Sequence, residues 1–203
     1  GVRFAPVDPR PEVEAAMLRA CQRGYLDGMP WMHEARIRAS STPAQHLHGA
    51  RSIVSLAKGY DPLEREPASG RLLGRVASYA VGEDYHAHLG RALKRLQTFI
   101  AERTGHPRGS RAFVDCGWMA ERAVAQRAGT GWFGKNANIL TADHGSWVYL
   151  AELVVDVPLE YEGPLARHCG TCRRCLEACP TSALVAPYVV DARRCVSFLT
   201  IEN

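Results

Sequence analysis

Four cysteines late in the chain, Cys169, Cys172, Cys175 and Cys179, follow a Cys-x2-Cys-x2-Cys-x3-Cys spacing with Pro180 directly after the last. Thiolates at i, i+3 and i+6 wrap one face of a cubane cluster. A fourth cysteine followed by proline points away, and in bacterial two-cluster ferredoxins it ligates the other cluster. Zinc competes for such residues, but zinc sites usually pair two short Cys-x2-Cys units across a longer spacer. The spacing therefore predicts at least one [4Fe–4S] cluster and a redox role. Cys195, in an expected helix after Asp191, would open a second cysteine group. Two clusters take eight thiolates between them, and this segment offers five. The shortfall leads to the expectation of a chain truncated at its C-terminus. The alternative is one cluster on Cys169, Cys172 and Cys175 with an outside fourth ligand.

Five of the seven cysteines crowd this one segment. That clustering favours metal ligation in a reducing compartment over secreted disulfides, and the expected location is cytoplasmic. No stretch approaches the ~18 uninterrupted apolar residues of a membrane span, and no basic-then-apolar leader opens the chain. With 46% hydrophobic and 23% charged residues over 203 positions, the chain has the composition of one large globular domain or two unequal ones. The formal charge of +4 fits a nucleic-acid partner and an ordinary solvated surface alike. Cys21 falls on the apolar stripe of a helix and reads as core. Cys116, beside Asp115, reads as site lining or as buried filler.

Along the chain, residues 2–6 read as an edge strand. Pro11 opens a helix with Val13, Met17, Ala20 and Cys21 on one stripe. Residues 52–56 read as a strand, 61–74 as an exposed loop and 75–80 as another short strand. Leu89, Leu93, Leu96 and Ile100 repeat at helical spacing over residues 85–103, and Gly105 follows as a stop. Residues 111–114 form an expected strand that delivers Asp115 to its end, and a helix over 119–128 comes next. Two apolar runs, 137–141 and 146–155, are split by Ala142-Asp143-His144-Gly145 and predict a hairpin. The prolines of residues 158–165 mark a domain boundary, giving expected domains over 1–163 and 164–203.

Gly129-Thr130-Gly131-Trp132-Phe133-Gly134 matches G-x-G-x-x-G, yet a helix precedes it and an extended segment follows. A dinucleotide fingerprint needs the reverse order. The loop reads instead as a tight backbone segment able to approach a large ligand, or as a helix stop and turn.

Taken together, these residues resemble the epoxyqueuosine reductase family, over nearly the whole chain. The resemblance is carried by Ser78-Tyr79-Ala80-Val81-Gly82-Glu83-Asp84-Tyr85-His86, by Val114-Asp115-Cys116-Gly117 through Glu121-Arg122-Ala123, and by Arg127-Ala128-Gly129 through Gly134-Lys135-Asn136. Gly145-Ser146-Trp147, the cysteine motif and Ala186-Pro187-Tyr188 through Arg194-Cys195 complete the series. It implies an α+β fold: a nitroreductase-like, cobalamin-binding domain followed by a ferredoxin-like [4Fe–4S] module. It also implies reduction of epoxyqueuosine to queuosine at the wobble position of tRNA, with cobalamin and two clusters as cofactors. The implied partners are tRNA and an external electron donor, with no membrane, and a monomer is expected. By resemblance Asp115 is the acid that supplies a proton, and Tyr85, His86 and Arg122 are further catalytic positions. Trp132, Gly134, Lys135 and Asn136 are candidates to touch the corrin, and Cys169, Cys172, Cys175, Cys179 and Cys195 to hold iron. Ser78 and Glu83 stand where the family pattern has basic residues. Cys116 and Trp118 stand where it has Ser and Pro.

An ordinary Asp, with a pKa of ~3.9, is ionised at neutral pH. Burial against apolar walls would raise that value and make Asp115 a usable acid; its other reading is a helix N-cap. Asp84 reads as the cap of the helix that Tyr85 and His86 begin. Arg167, Arg173, Arg174, Arg193 and Arg194 flank the cysteines and serve either to hold tRNA phosphates or to offset cluster charge. An electron carrier without catalysis of its own and another corrinoid reductase are the competing classes. The long stretch ahead of Cys169 weighs against the first, and the absence of an export signal against the second.

Overall fold

The computed structural model describes residues 1–61, 76–105 and 109–201. In chain order these form β1 (Val2–Pro6), α1 (Pro11–Gln22), α2 (Glu34–Ser40), β2 (Ser52–Gly59), α3 (Tyr85–Thr104), β3 (Ser110–Phe113), α4 (Glu121–Ala128), β4 (Trp132–Phe133), β5 (Ile139–Leu140) and β6 (Val148–Val155). The cysteine segment adds α5 (Arg174–Ala178), β7 (Leu184–Ala186), β8 (Val189–Val190) and α6 (Val196–Ile201).

The main sheet runs β1-β2-β6-β3 with every pairing antiparallel. β6 is its longest apolar run and lies inside it, paired with β2 from Ser52↔Val155 to Gly59↔Val148 and with β3 from Ser110↔Val155 to Phe113↔Glu152. Side chains alternate across a strand. Ala151, Leu153 and Val155 therefore face one way with Val54 and meet Leu89 and Leu93 of α3. Val154 faces the other way with Ile53 and Phe113, and packs with Val124 and Ala128 of α4. Helices thus cover both faces of an antiparallel sheet, and the α+β expectation holds.

α3 forms because its leucines recur on one face, and its ends are set chemically. The Asp84 side chain accepts the His86 N–H at 2.9 Å, and Gly105 closes the helix at φ 69°. α1 carries its expected stripe half-buried, with no fully buried residue. Elsewhere the expectations need correction. Ser78–Ala80 is a single 3-10 turn rather than part of a strand; Arg75 and nearly all of the loop expected over residues 61–74 lie outside the described residues. The hairpin across residues 142–145 reduces to one bridge, Thr141↔Gly145. β5 pairs with β4 instead, because β6 is taken up on both edges by β2 and β3 in the main sheet. The helix expected after Asp191 is a 3-10 turn, Ala192–Arg194, followed by α6.

The cysteine segment folds back on the earlier chain. Ala192 N–H donates to the Tyr25 carbonyl at 2.8 Å, Arg193 lies over the Tyr25 ring, and Tyr188 N–H donates to the Lys135 carbonyl at 3.0 Å. Gly129, at φ 75°, allows the close approach that follows, since a Cβ there would meet the Gly163 carbonyl oxygen at 2.5 Å.

Leu93 is 1% exposed between α3 and the sheet. Leu93→Ala is expected to destabilise the fold by about 2–5 kcal/mol, read as a lower denaturant midpoint at constant slope. A loss below about 1 kcal/mol would mean that α3 is not packed as described.

Candidate active site

Asp115 follows β3 at φ 55°, a conformation that non-glycine residues rarely adopt. Cys116 N–H returns to the Val114 carbonyl, so Asp115 is the apex of a tight γ-turn, a strained arrangement. Glu121, the first residue of α4, anchors it by accepting the Asp115 N–H at 2.5 Å. Asp115 caps no helix: Ala120 precedes α4 and offers no side-chain cap.

Tyr85 and His86 reach the same carboxylate from the start of α3. Tyr85 Oη donates to Asp115 Oδ2 at 2.6 Å, and His86 Nε2 stands 3.7 Å from that oxygen. His86 Nδ1 lies 2.7 Å from Asp84 Oδ1, so the residue is held rather than freely solvated. Tyr85 stacks on Tyr149 at 4.5 Å with planes 6° apart, and Tyr149 stacks in turn on Tyr60. This aromatic ladder fixes the phenol. Burial first, and the Asp115 contact next, push the Tyr85 pKa well up, so the phenol stays a donor.

The burial expected around Asp115 falls elsewhere. Asp115 itself is 63% exposed at its side chain. Beneath the turn lie two other carboxyls. Glu121 has its pKa pushed up to about 7, by burial first and then by the Asp115 charge. Glu152 is fully buried on β6, with its pKa well above the ordinary value through burial and then the charge of Glu121. Neither residue was singled out in the sequence as a site. The available signal was a glutamate inside the otherwise apolar run of β6. Arg122 is exposed and donates to the Ala137 carbonyl at 2.8 Å, tying α4 to the glycine-rich loop rather than pairing with Asp115.

In that loop, Lys135 Nζ donates to the Gly170 carbonyl at 2.7 Å and to the Cys172 carbonyl at 2.9 Å. Asn136 Oδ1 accepts the Asn138 N–H. A Cβ on Gly134 would meet Asn136 Oδ1 at 2.5 Å. These three residues are committed to internal structure. Trp132 is not: its Nε1 is buried without a hydrogen-bond partner, while Arg167 lies over its ring.

The cysteine loop curls round an open hollow of about 600 Å³ lined by Cys169, Cys172 and Arg174. Among the described residues no three metal-ligating side chains converge on a single-ion site; a cubane is larger than one ion and takes its sulfurs at separate corners. Cys179 stands at the end of α5, where the Leu184 amide first, and the Thr181 hydroxyl as well, lower its thiol pKa towards thiolate. Cys195 opens the last helical turn, accepting the Leu199 N–H. Of the flanking arginines, Arg193 is engaged with Asp191 and Asp27, and Arg173 lies 3.8 Å from Glu177.

Set beside known proteins, the cysteine segment defines the class first: residues 168–203 match the family described as 4Fe-4S double cluster binding domain. Residues 41–116 match the family described as epoxyqueuosine reductase QueG, DUF1730. An epoxyqueuosine reductase of Gloeobacter violaceus is 46% identical over 89% of this chain and 54% of its own length. One from Synechocystis is 40% identical over 98% of this chain and 68% of its own. A crystal structure of epoxyqueuosine reductase with a tRNA-Tyr epoxyqueuosine-modified stem loop superposes with a TM-score of 0.86 at 36% identity, over 98% of this chain and 53% of that one. The chain belongs to the epoxyqueuosine reductase family. It spans about half to two-thirds of the length of these relatives. No helix among the described residues is long and apolar enough to cross a membrane.

The raised Glu121 pKa gives a testable sign. The folded chain keeps a proton that the unfolded chain releases near 4.5. Between that pH and about 7 the native state binds more protons, so this contribution to stability falls as pH rises and is constant above. Glu121→Gln is expected to flatten the decline of Tm with pH across that window. An unchanged slope would refute the assignment.

Proposed function

We propose that this chain is the part of an epoxyqueuosine reductase that carries the proton-donating site and the first cysteine group, acting on epoxyqueuosine in tRNA. The observation that carries the reading is Asp115 raised on its strained turn, with Tyr85 bonded to one carboxyl oxygen and His86 beside it. Reduction of an epoxide to an alkene takes two electrons and two protons and releases water. Tyr85 and His86 orient Asp115, whose carboxyl supplies a proton to the departing oxygen. A substrate covering this exposed carboxyl would exclude water from it.

Cobalamin, when bound, would supply a low-valent cobalt that engages the substrate. Trp132 is the residue best suited to meet it, because its buried indole N–H has no partner of its own. Lys135 serves the same assembly indirectly, by joining the glycine-rich loop to the cysteine loop. We assign Cys169, Cys172 and Cys175 to one [4Fe–4S] cluster and Cys179 and Cys195 to a second, with electrons arriving from an external donor. The antiparallel sheet with helices on both faces supports a nitroreductase-like domain over residues 1–163, and the cysteine segment over 164–203 a ferredoxin-like one. The protein on this reading is a cytoplasmic monomer, with tRNA held through phosphate contacts that weaken as salt rises.

Anaerobic reconstitution with iron, sulfide and cobalamin, followed by removal of free cofactor, tests the reading. Corrin bands retained beside cluster absorption are expected. Cluster absorption without retained cobalamin would favour a bare electron-transfer module. In a protein of the relatives' full length, Asp115→Asn is expected to keep both cofactors and lower turnover by about 10²-fold or more. Turnover at the wild-type rate would remove Asp115 from its role.

A further inference from the structure

Glu152 is the least expected side chain in the molecule. It is 0% exposed, it sits on the β6 face that also carries Val154, and its neighbours across the sheet are Ser55 and Phe113. Ser55 accepts the Thr130 hydroxyl at 3.0 Å and makes no hydrogen bond to Glu152. Neither Glu152 oxygen makes a hydrogen bond of good geometry, and the polar group against it is the Glu121 carboxyl. Two ionised carboxylates do not sit together in a buried place. One proton between them changes the balance, because the orphaned acceptor becomes a donor and the second carboxyl accepts it.

Glu121 also has a second task. It accepts the Asp115 N–H and so holds the apex of the γ-turn. The charged and titratable groups facing the pair are Asp115 from the turn, Arg122 from α4 and Tyr85 from α3, with Cys116 beside Tyr85. His86 meets the far side of Asp115. From this geometry we propose that Glu152 and Glu121 share one proton and act as a latch that positions Asp115, with Glu152 holding Glu121 and Glu121 holding the strained turn. Both are positioning residues, since the bond Glu121 makes to Asp115 is to its backbone amide rather than to its carboxyl. Loss of the shared proton leaves two buried negative charges, drives Glu121 off the Asp115 amide and releases the turn. The latch rests on the reading of Asp115 as proton donor for its purpose but not for its existence.

The test uses the full chain without substrate or cofactors, so it fails independently of the donor assignment. Infrared spectra at neutral pH should show a protonated carboxylic acid band that disappears in mild alkali. The ¹⁵N–¹H shift of the Asp115 amide should titrate with the same midpoint. Glu152→Gln should remove the infrared band and move the amide midpoint towards acid by about one pH unit or more, as the buried like charge is gone. Asp115→Asn should leave the infrared band in place. Absence of a protonated carboxyl in the wild-type chain at neutral pH overturns the proposal with no variant needed. So does an Asp115 amide whose shift ignores the titration. If Glu152→Gln does not fold, Glu121→Gln serves instead: it should abolish the amide titration, and persistence of that titration would refute the latch.

Discussion

Strand β6 sends alternate side chains to two helices, and that alternation puts Glu152 into an otherwise apolar layer under α4. Burying a carboxyl there is costly unless it is neutral or paired. The layer tolerates it because α4 begins with Glu121, whose own carboxyl is held between Glu152 and the Asp115 amide. The end of β3, the start of α4 and the middle of β6 therefore meet through polar groups as well as through packing. Apolar contacts set where α3 and α4 lie on the sheet. The acid pair sets the backbone of the turn between β3 and α4, and with it the direction in which Asp115 points.

Strain at Asp115 has a structural consequence. A positive φ at a non-glycine residue costs on the order of 1–3 kcal/mol and persists only where the surroundings fix it. Here the fixing groups come from three directions: Tyr85 on the side chain, Glu121 on the amide and the Cys116 return bond across the turn. The phenol is itself pinned by Tyr149, a β6 residue, whose hydroxyl donates to the Tyr79 carbonyl at 2.7 Å. Two residues of one strand, Tyr149 and Glu152, thus brace Asp115 through different partners.

How much of this could be read from the sequence varies with the range of the interaction. α3 was legible to within a residue, because its leucine spacing, its Asp84 cap and its Gly105 stop are all local. The edge strand β1 was legible for the same reason. The hairpin over residues 137–155 was not, since a turn signal cannot show that β6 will prefer β2 and β3 to its sequence neighbour. Asp115, Tyr85 and His86 came from motif resemblance, and the structure brings those three together. Glu121 and Glu152 lie 31 positions apart, and only the pairing of β3 with β6 makes them neighbours.

The glycine-rich loop shows the same limit from the other side. Lys135 and Asn136 look like ligand-binding residues in sequence, being polar groups at the tip of a tight turn. In the fold, Lys135 Nζ donates nearer home, to the carbonyls of Gly170 and Cys172, while its own carbonyl takes the Tyr188 amide. A cation bonded to the backbone of a cysteine loop does two things at once. It fixes the loop against the glycine-rich turn, and it offsets the negative charge that thiolates and a cluster bring. The cysteine segment is therefore fastened to the segment bearing Trp132 by a side chain whose charge suits thiolates. This clamp acts together with the Ala192–Tyr25 and Tyr188–Lys135 backbone bonds, so the cysteine segment is held by contacts distant in sequence and not only by the prolines of residues 158–165 that precede it.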